Sequence, residues 1–504
     1  MQMSDSITLE AAAPSTGAAI EHFDVLVIGA GISGIGAAWH LGQRMPGSRF
    51  AVLETQGGYG GTWRSHNFPG IRSDSDLYTF GYHFKPWVGP PIAAAAEIQR
   101  YLGEVIEEND LGRHIRYGHR ILSADWSAKD ARWTLLAERT DTGEKLHFSC
   151  GFLWMCQGYF RHRQGFMPQW PGMADFTGTI AHCEEWPEDL DYAGKKVVVI
   201  GSGATAATVI PAMAGTAAHV TMLQRSPTYF LPSPNENEFA DTLRKLQVDD
   251  ALVHELTRRK NNFDMSEITR RSFEEPEVLR AELLEAVRTL LPADFDMQHF
   301  TPSYRPWRQR IAMVPDGDMF QAINAGKASV VTDEIERFTA TGILLKSGAH
   351  LEADIIAAAT GFNLCVMGDI KFSIDGDPVD FSQTVTYRGM MFTGVPNLVW
   401  VFGYFRNSWT LRADLVAEYV CRLLAHMQDK GAHAVTPALR AEDHNMPLGP
   451  WLDSENMNSG YLQRGMHLLP QAGDKDEWRH SQDYWREKDE FPKYDLDDSA
   501  LRYS

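Results

Sequence analysis

Residues 23–41 read FDVLVIGAGISGIGAAWHL, and that stretch decides the fold. The apolar run at 25–28 suits a strand buried on both faces, as strands in parallel sheets are. Gly29-Ala30-Gly31-Ile32-Ser33-Gly34 follows at once and opens an alanine-rich helical pattern. Gly29 permits the tight turn, Gly31 lets the backbone approach a pyrophosphate, and Gly34 lets helix and strand pack closely. The helix N-terminus, with Ser33 in its first turn, offers free N–H groups and a positive dipole end to phosphate oxygens. A second strand, Phe50-Ala51-Val52-Leu53, ends in Glu54. A carboxylate there accepts hydrogen bonds from ribose hydroxyls and repels a 2′-phosphate, which selects FAD or NAD over NADPH.

The pattern returns in KKVVVIGSGATAATVI, residues 195–210, where Gly201-Ser202-Gly203-Ala204-Thr205-Ala206 is GxGxxA between an apolar strand and an alanine-rich helix. The next strand ends in Gln224-Arg225-Ser226-Pro227, so Arg225 stands where the first fold has Glu54. A guanidinium there forks onto a 2′-phosphate and prefers NADPH. Two sites of opposite ribose preference describe a flavoprotein in which one site holds FAD and the other delivers hydride from NADPH.

Composition narrows the rest. At 504 residues the chain is expected to form two or three domains, and 44% hydrophobic with 22% charged residues is the mixture of a folded globular protein. A net charge of −19 argues against nucleic acid or an anionic membrane surface as partner. Cys150, Cys156, Cys183, Cys365 and Cys421 include no CxxC pair, so no metal site and no redox-active disulfide of the usual spacing is expected. The start of the chain has neither the basic residues nor the apolar core of a signal peptide, and no run is long enough to span a membrane. These features place the protein in the cytoplasm and leave its oligomeric state open.

The expected architecture is α/β: two Rossmann-type dinucleotide-binding domains, for FAD and NADPH, the second inserted in the first, with a helical insertion. Strand-like segments ending in Gln157-Gly158 and Thr360-Gly361 mark where the chain crosses between them. The expected division is a loose tail at 1–21, an FAD domain at 22–154 and 353–504, an NADPH domain at 155–230 and 300–352, and a glycine-free helical insertion at 231–299. An amphipathic helix is expected at 413–430, and the charged, aromatic tail from Gly473 has no assignable role. Met390-Met391-Phe392 with Phe402, Tyr404 and Phe405 would suit either a hydrophobic substrate wall or ordinary core.

Two longer patterns carry a resemblance. Phe176-Thr-Gly178-Thr-Ile-Ala-His182-Cys-Glu-Glu-Trp186-Pro187 reads FxGxxxHxxxWP, and residues 60–74 (GGTWRSHNFPGIRSD), containing Gly61, Thr62, Trp63 and Asp74, read GGxWxxxxFPGxxxD. Both are similar to fingerprints of type I Baeyer–Villiger monooxygenases, over roughly residues 23–424. Segments such as HFTPSYRPWRQR, VVTDEIERFTATGILL and NSWTLRADL resemble the ethionamide-activating branch of those flavoenzymes.

The resemblance implies a reaction. NADPH held by Gly201, Ser202, Gly203, Thr205, Arg225 and Ser226 would reduce FAD held by Gly29, Gly31, Ser33, Gly34, Glu54, Gly61, Thr62, Trp63 and Asp74. Addition of O2 to the flavin would give a peroxide that attacks a ketone, and rearrangement would give an ester or lactone. Such chemistry needs a fixed cation and exclusion of water. The family's arginine matches Arg310, oriented by Asp74, with Arg308 as the rival position and Gln309 where relatives carry lysine. His182 belongs to the linker rather than to the chemistry, Trp63 and Trp186 to packing, and Trp409 resembles a mobile-loop tryptophan near NADPH. The alternatives are oxidation of sulfides, thioamides or amines by the same flavin, a disulfide reductase, which lacks its cysteine pair, and a non-catalytic flavin-binding redox sensor.

Overall fold

The computed structural model describes residues 20–504. Of the tail expected at 1–21, residues 1–19 lie outside the described residues, and Glu21 already opens the first strand, Glu21–Ile28. That strand is the axis of a nine-stranded sheet. On one side it pairs in parallel with Phe50–Leu53, and on the other with the long strand Lys145–Met155. Val25, Leu26 and Val27 are sealed on both faces, which is why the run carries no alternation. Lys145–Met155 does two jobs. Its first half closes an antiparallel meander with His119–Ser127 and Arg132–Arg139, and its second half continues into the parallel sheet, with Leu398–Trp400 at its flank.

The second sheet is wholly parallel, in the order Ala328–Thr332, His219–Gln224, Lys196–Ile200, Ile355–Ala358, Thr179–His182. Here one sequence expectation is corrected. The expected division resumes the FAD domain at 353, but Ile355–Ala358 pairs with Lys196–Ile200 inside the second sheet. A short Ile/Ala run suits the buried interior of either sheet equally, and only pairing register distinguishes them. The return to the first sheet comes later, with Lys371–Ile374 beside His119–Ser127.

Helices Glu238–Lys245, Asp250–Glu274 and Pro276–Arg288 fall within the stretch expected to be helical. They lean on the first fold: Arg258 donates to the carbonyls of Tyr78, Thr79 and Gly81, and His254 accepts from the Trp87 N–H. The late helix runs Trp409–Lys430, four residues longer at its start than its amphipathic pattern shows, because residues 409–412 are buried or nearly so and carry no polar face. The unassigned tail is structural. Glu487 meets the fully buried Arg412 (Nε to Oε2 3.1 Å), and Leu501–Tyr503 pairs with Val435–Pro437. No helix of the described residues is long and apolar enough to cross a membrane.

Candidate functional site

Both glycine loops open on one cavity of about 2130 Å³. Gly29 has φ +101°, and a Cβ there would sit 2.8 Å from the Cys156 carbonyl oxygen; Gly201 has φ +132°, with Ala359 O at 2.4 Å. Side chains are therefore excluded on both counts at the turn of each fold. The helices that follow, Ile32–Arg44 and Ala204–Ala214, begin at Gly31 and Gly203 with no side chain capping their first-turn N–H groups. A Cβ at Gly203 would meet nothing within 4 Å. Uncapped N–H groups at two glycine loops on the cavity wall fit the phosphates of dinucleotides.

Glu54 lies at the end of Phe50–Leu53 on the cavity wall. Its two oxygens accept the N–H groups of Ala30 and Gln56, each at 2.7 Å, so it braces the first loop; burial raises its carboxyl pKa against those two donors. Each oxygen keeps a second lone pair for a ribose hydroxyl. Arg225, by contrast, is exposed at the cavity edge and makes no hydrogen bond or ion pair among the described residues. Ser202 Oγ is 2.9 Å from Thr228 Oγ1 and donates to Ser226 O, which ties the loop to the strand end carrying Arg225.

The stretch 60–74 joins the two folds. Gly60 N–H donates to Ala30 O, so Gly61, Thr62 and Trp63 line the cavity beside the first glycine loop. Phe68 is buried in the core of the second fold, and a Cβ at Gly70 would strike Ala212 of its helix at 2.5 Å. Pro211 in that helix has no N–H to give Ala207, and Arg72 Nη2 reaches the freed carbonyl at 3.4 Å while pairing with Asp318. The stretch ends in Asp74, which meets Arg310. Both Nε and Nη2 of Arg310 bond the Asp74 carboxylate, Nη2 to Oδ1 at 2.9 Å. Ser75 Oγ (3.1 Å) and the Phe405 carbonyl (2.7 Å to Nη1) complete the cradle.

The two side chains keep 34% and 32% of their surface accessible, and that surface faces the cavity. Burial alone would lower the Arg310 pKa, but Asp74 outweighs it and raises the value, so the cation is permanent. Arg308 points elsewhere: it pairs with the exposed Glu455 at 2.7 Å and does not line the cavity, whereas Gln309 does.

The linker residues flank Thr179–His182 at the edge of the second sheet. Phe176 and Trp186 are buried, a Cβ at Gly178 would clash with Asp354 O, and Pro187 O closes a turn with the Leu190 N–H. His182 does reach the cavity. Burial lowers its pKa, and its Nδ1 accepts the Glu184 N–H. Beside it burial, aided by His162 and His182, pushes His66 down to about 4, and burial with Glu185 pushes Glu184 up to about 8. Both Glu184 oxygens lack a hydrogen-bond partner.

Trp409 corrects an expectation. It is the first residue of helix Trp409–Lys430 rather than part of a loop, and its Nε1 donates to Ser33 Oγ at 2.7 Å, in the first glycine fold. Tyr159 stacks on it (5.3 Å, 14°). Of the apolar candidates, Tyr404 and Phe405 line the cavity, while Met390, Met391, Phe392 and Phe402 are core. Sequence reasoning missed Ser75, Tyr159, Gln157, Glu184 and Tyr461, all on the cavity wall, since none lies at a position that a motif marks.

Comparison with known proteins agrees with this layout. Residues 23–284 match the family model described as pyridine nucleotide-disulphide oxidoreductase. The chain is 44% identical over 488 residues to the FAD-containing monooxygenase EthA of Mycolicibacterium smegmatis, covering 96% of this chain and 97% of that one. Its fold is similar to that of an oxidized steroid monooxygenase bound to NADP (TM-score 0.73, 22% identity, 96% and 99% of the two chains). It is similar too to an ε-caprolactone-bound cyclohexanone monooxygenase in its loose conformation (TM-score 0.74, 19% identity, 96% and 100%).

Proposed function

The chain belongs to the FAD-containing monooxygenases and, across residues 23–284, to the pyridine nucleotide-disulphide oxidoreductase family; on that premise we propose that it uses FAD and NADPH to insert one oxygen atom from O2 beside the carbonyl of a small hydrophobic ketone. Its five cysteines are free and buried, so disulphide exchange has no pair to act through among the described residues. Bound FAD, reduced by NADPH, supplies the activation of O2. The observation that carries the ketone reading is the Asp74–Arg310 pair on the wall of the cavity that both glycine loops share.

The chain's own residues account for the rest. The uncapped helix ends at Gly31 and Gly203 would hold the phosphates, and Arg225, unpaired among the described residues, would meet the 2′-phosphate that separates NADPH from NADH. Oxygen insertion beside a carbonyl moves negative charge onto the carbonyl oxygen. Of the five N–H donors of Arg310, four are committed to Asp74 twice, Ser75 and Phe405, which leaves one on Nη1 for that oxygen. Asp74 keeps the guanidinium from turning away. Tyr159, Phe405 and Trp409 line the same cavity with ring surface, which suits a site that must limit water.

The test is product analysis. With purified enzyme, NADPH and a cyclic or phenyl ketone, the expected product is an ester or lactone one oxygen heavier, lost in Arg310→Ala while FAD stays bound. A thioether run in parallel separates the two oxygenations. Sulfoxide without any ester would overturn the ketone reading, and hydrogen peroxide alone would overturn oxygenation of both substrates.

A further inference from the structure

Away from the large cavity, three side chains from distant parts of the chain converge. His40 comes from helix Ile32–Arg44, His83 from the turn after the short helix Leu77–Phe80, and Asp414 from helix Trp409–Lys430. One donor atom from each lies within 4.8 Å of the others. His83 Nδ1 is 3.0 Å from Asp414 Oδ2, and His40 Nε2 is 3.5 Å from Oδ1. His40 is fully buried, with Trp39 and Phe84 edge-on to its ring; its Nδ1 has no hydrogen-bond partner, and its Nε2 has only the long contact to Asp414. A buried imidazole whose Nε2 faces a carboxylate at 3.5 Å without a well-formed hydrogen bond leaves that nitrogen free to act as a ligand.

We propose that His40, His83 and Asp414 bind a divalent transition-metal ion, with Zn²⁺ best suited to the donor set. Zinc takes imidazole and carboxylate donors at about 2.0–2.2 Å in a tetrahedron, which puts neighbouring donors about 3.3–3.5 Å apart. The separations of 3.0 and 3.5 Å run to the two different oxygens of Asp414 and lie near that edge length. Two imidazoles and one carboxylate suit zinc and disfavour calcium or magnesium, which select oxygen. The His83 side chain keeps 40% of its surface accessible, so the cluster can be reached from solvent.

One cation competes. Arg258 Nη2 lies 3.6 Å from Asp414 Oδ2. Its Nη1, however, is anchored on the carbonyls of Tyr78, Thr79 and Gly81 at 3.2, 2.9 and 2.7 Å, which fixes the guanidinium beside the carboxylate. There it is an outer partner that orients the ligand oxygen, as hydrogen-bonded second neighbours do in metal sites. The ion would staple the helix that begins at the first glycine loop to the helix whose first residue, Trp409, bonds Ser33 in that loop. The site is distinct from the cofactor cavity, whose walls include none of the three residues.

The experiment uses the untagged holoenzyme, cleared of metal with a chelator and titrated with Co²⁺, then with Zn²⁺ by calorimetry. The expected result is visible ligand-field absorption that saturates at one Co²⁺ per chain and is displaced by Zn²⁺. His83→Ala, at a partly exposed position, should weaken binding at least about tenfold while the metal-free variant still folds and retains FAD. Asp414→Asn should do the same to binding, which guards against a fault peculiar to one variant. Absence of saturable binding in the wild type, or equal binding in His83→Ala, would overturn the site and leave the cluster a buried ion pair.

Discussion

Replacing Asp74 by asparagine keeps the shape of the side chain and removes the charge that holds Arg310. In the structure one carboxylate takes two N–H bonds from the guanidinium, one of them 2.9 Å long. Hydrogen bonds to charged groups contribute about 1.5–3 kcal/mol each. Both partners keep about a third of their surface on the cavity (34% and 32%), so water recovers part of that, and asparagine can still accept one bond. A net loss of about 2 kcal/mol in holding the cation is the result, equivalent to roughly thirtyfold in the rate of a step that depends on it. The assay follows NADPH oxidation, O2 uptake, ester and hydrogen peroxide together, with bound FAD measured from its spectrum. Asp74→Asn should oxidise NADPH much as before and retain FAD, while ester formation falls about thirtyfold and peroxide takes its place. Ester yield equal to the wild type would refute the positioning role. Loss of ester in step with loss of FAD would instead make Asp74 a cofactor-binding residue alone.

Arg225→Ala removes an unpaired cation beside the second glycine loop; KM for NADPH should rise roughly 10–100-fold while KM for NADH barely moves, and equal loss for both would refute the 2′-phosphate contact. His66 is held at about 4 in the folded chain against 6.5 when unfolded. Across that window the unfolded chain binds the proton and the folded chain does not, so the stabilisation is complete above pH 6.5 and is lost as pH falls toward 4. Its size is at most roughly 3 kcal/mol, and thermal melts from pH 7.5 to 4.5 should show a decline that flattens in His66→Phe. Gln482 accepts the Phe405 N–H at 2.8 Å, and Phe405 in turn offers its carbonyl to Arg310. Gln482→Leu leaves that N–H unpaired, costing about 1–3 kcal/mol of stability and raising peroxide release; an unchanged melting temperature with unchanged coupling would show that the tail does not support the cation.

The sequence by itself determined whatever depends on contiguous residues and local backbone demands. Two strand–glycine–helix turns, and the opposite charges of Glu54 and Arg225 at the strand ends, are written in single stretches because a tight turn beside phosphate admits few residues. The approach of Asp74 to Arg310, 236 residues apart, came from a family resemblance, since no local rule joins them. Tertiary structure alone decided the rest. Ile355–Ala358 reads as a buried strand of either sheet until its register with Lys196–Ile200 is seen. Trp409 is a loop residue only by family resemblance; the fold makes it the first residue of a helix and brings its indole to Ser33, 376 residues earlier. The Ser75 hydroxyl and Phe405 carbonyl that complete the Arg310 cradle, and the meeting of His40, His83 and Asp414, carry no signature in the chain. Motifs record the local shape a ligand demands of the backbone; contacts between distant side chains arise from how sheets and helices pack, and burial gives them their energies.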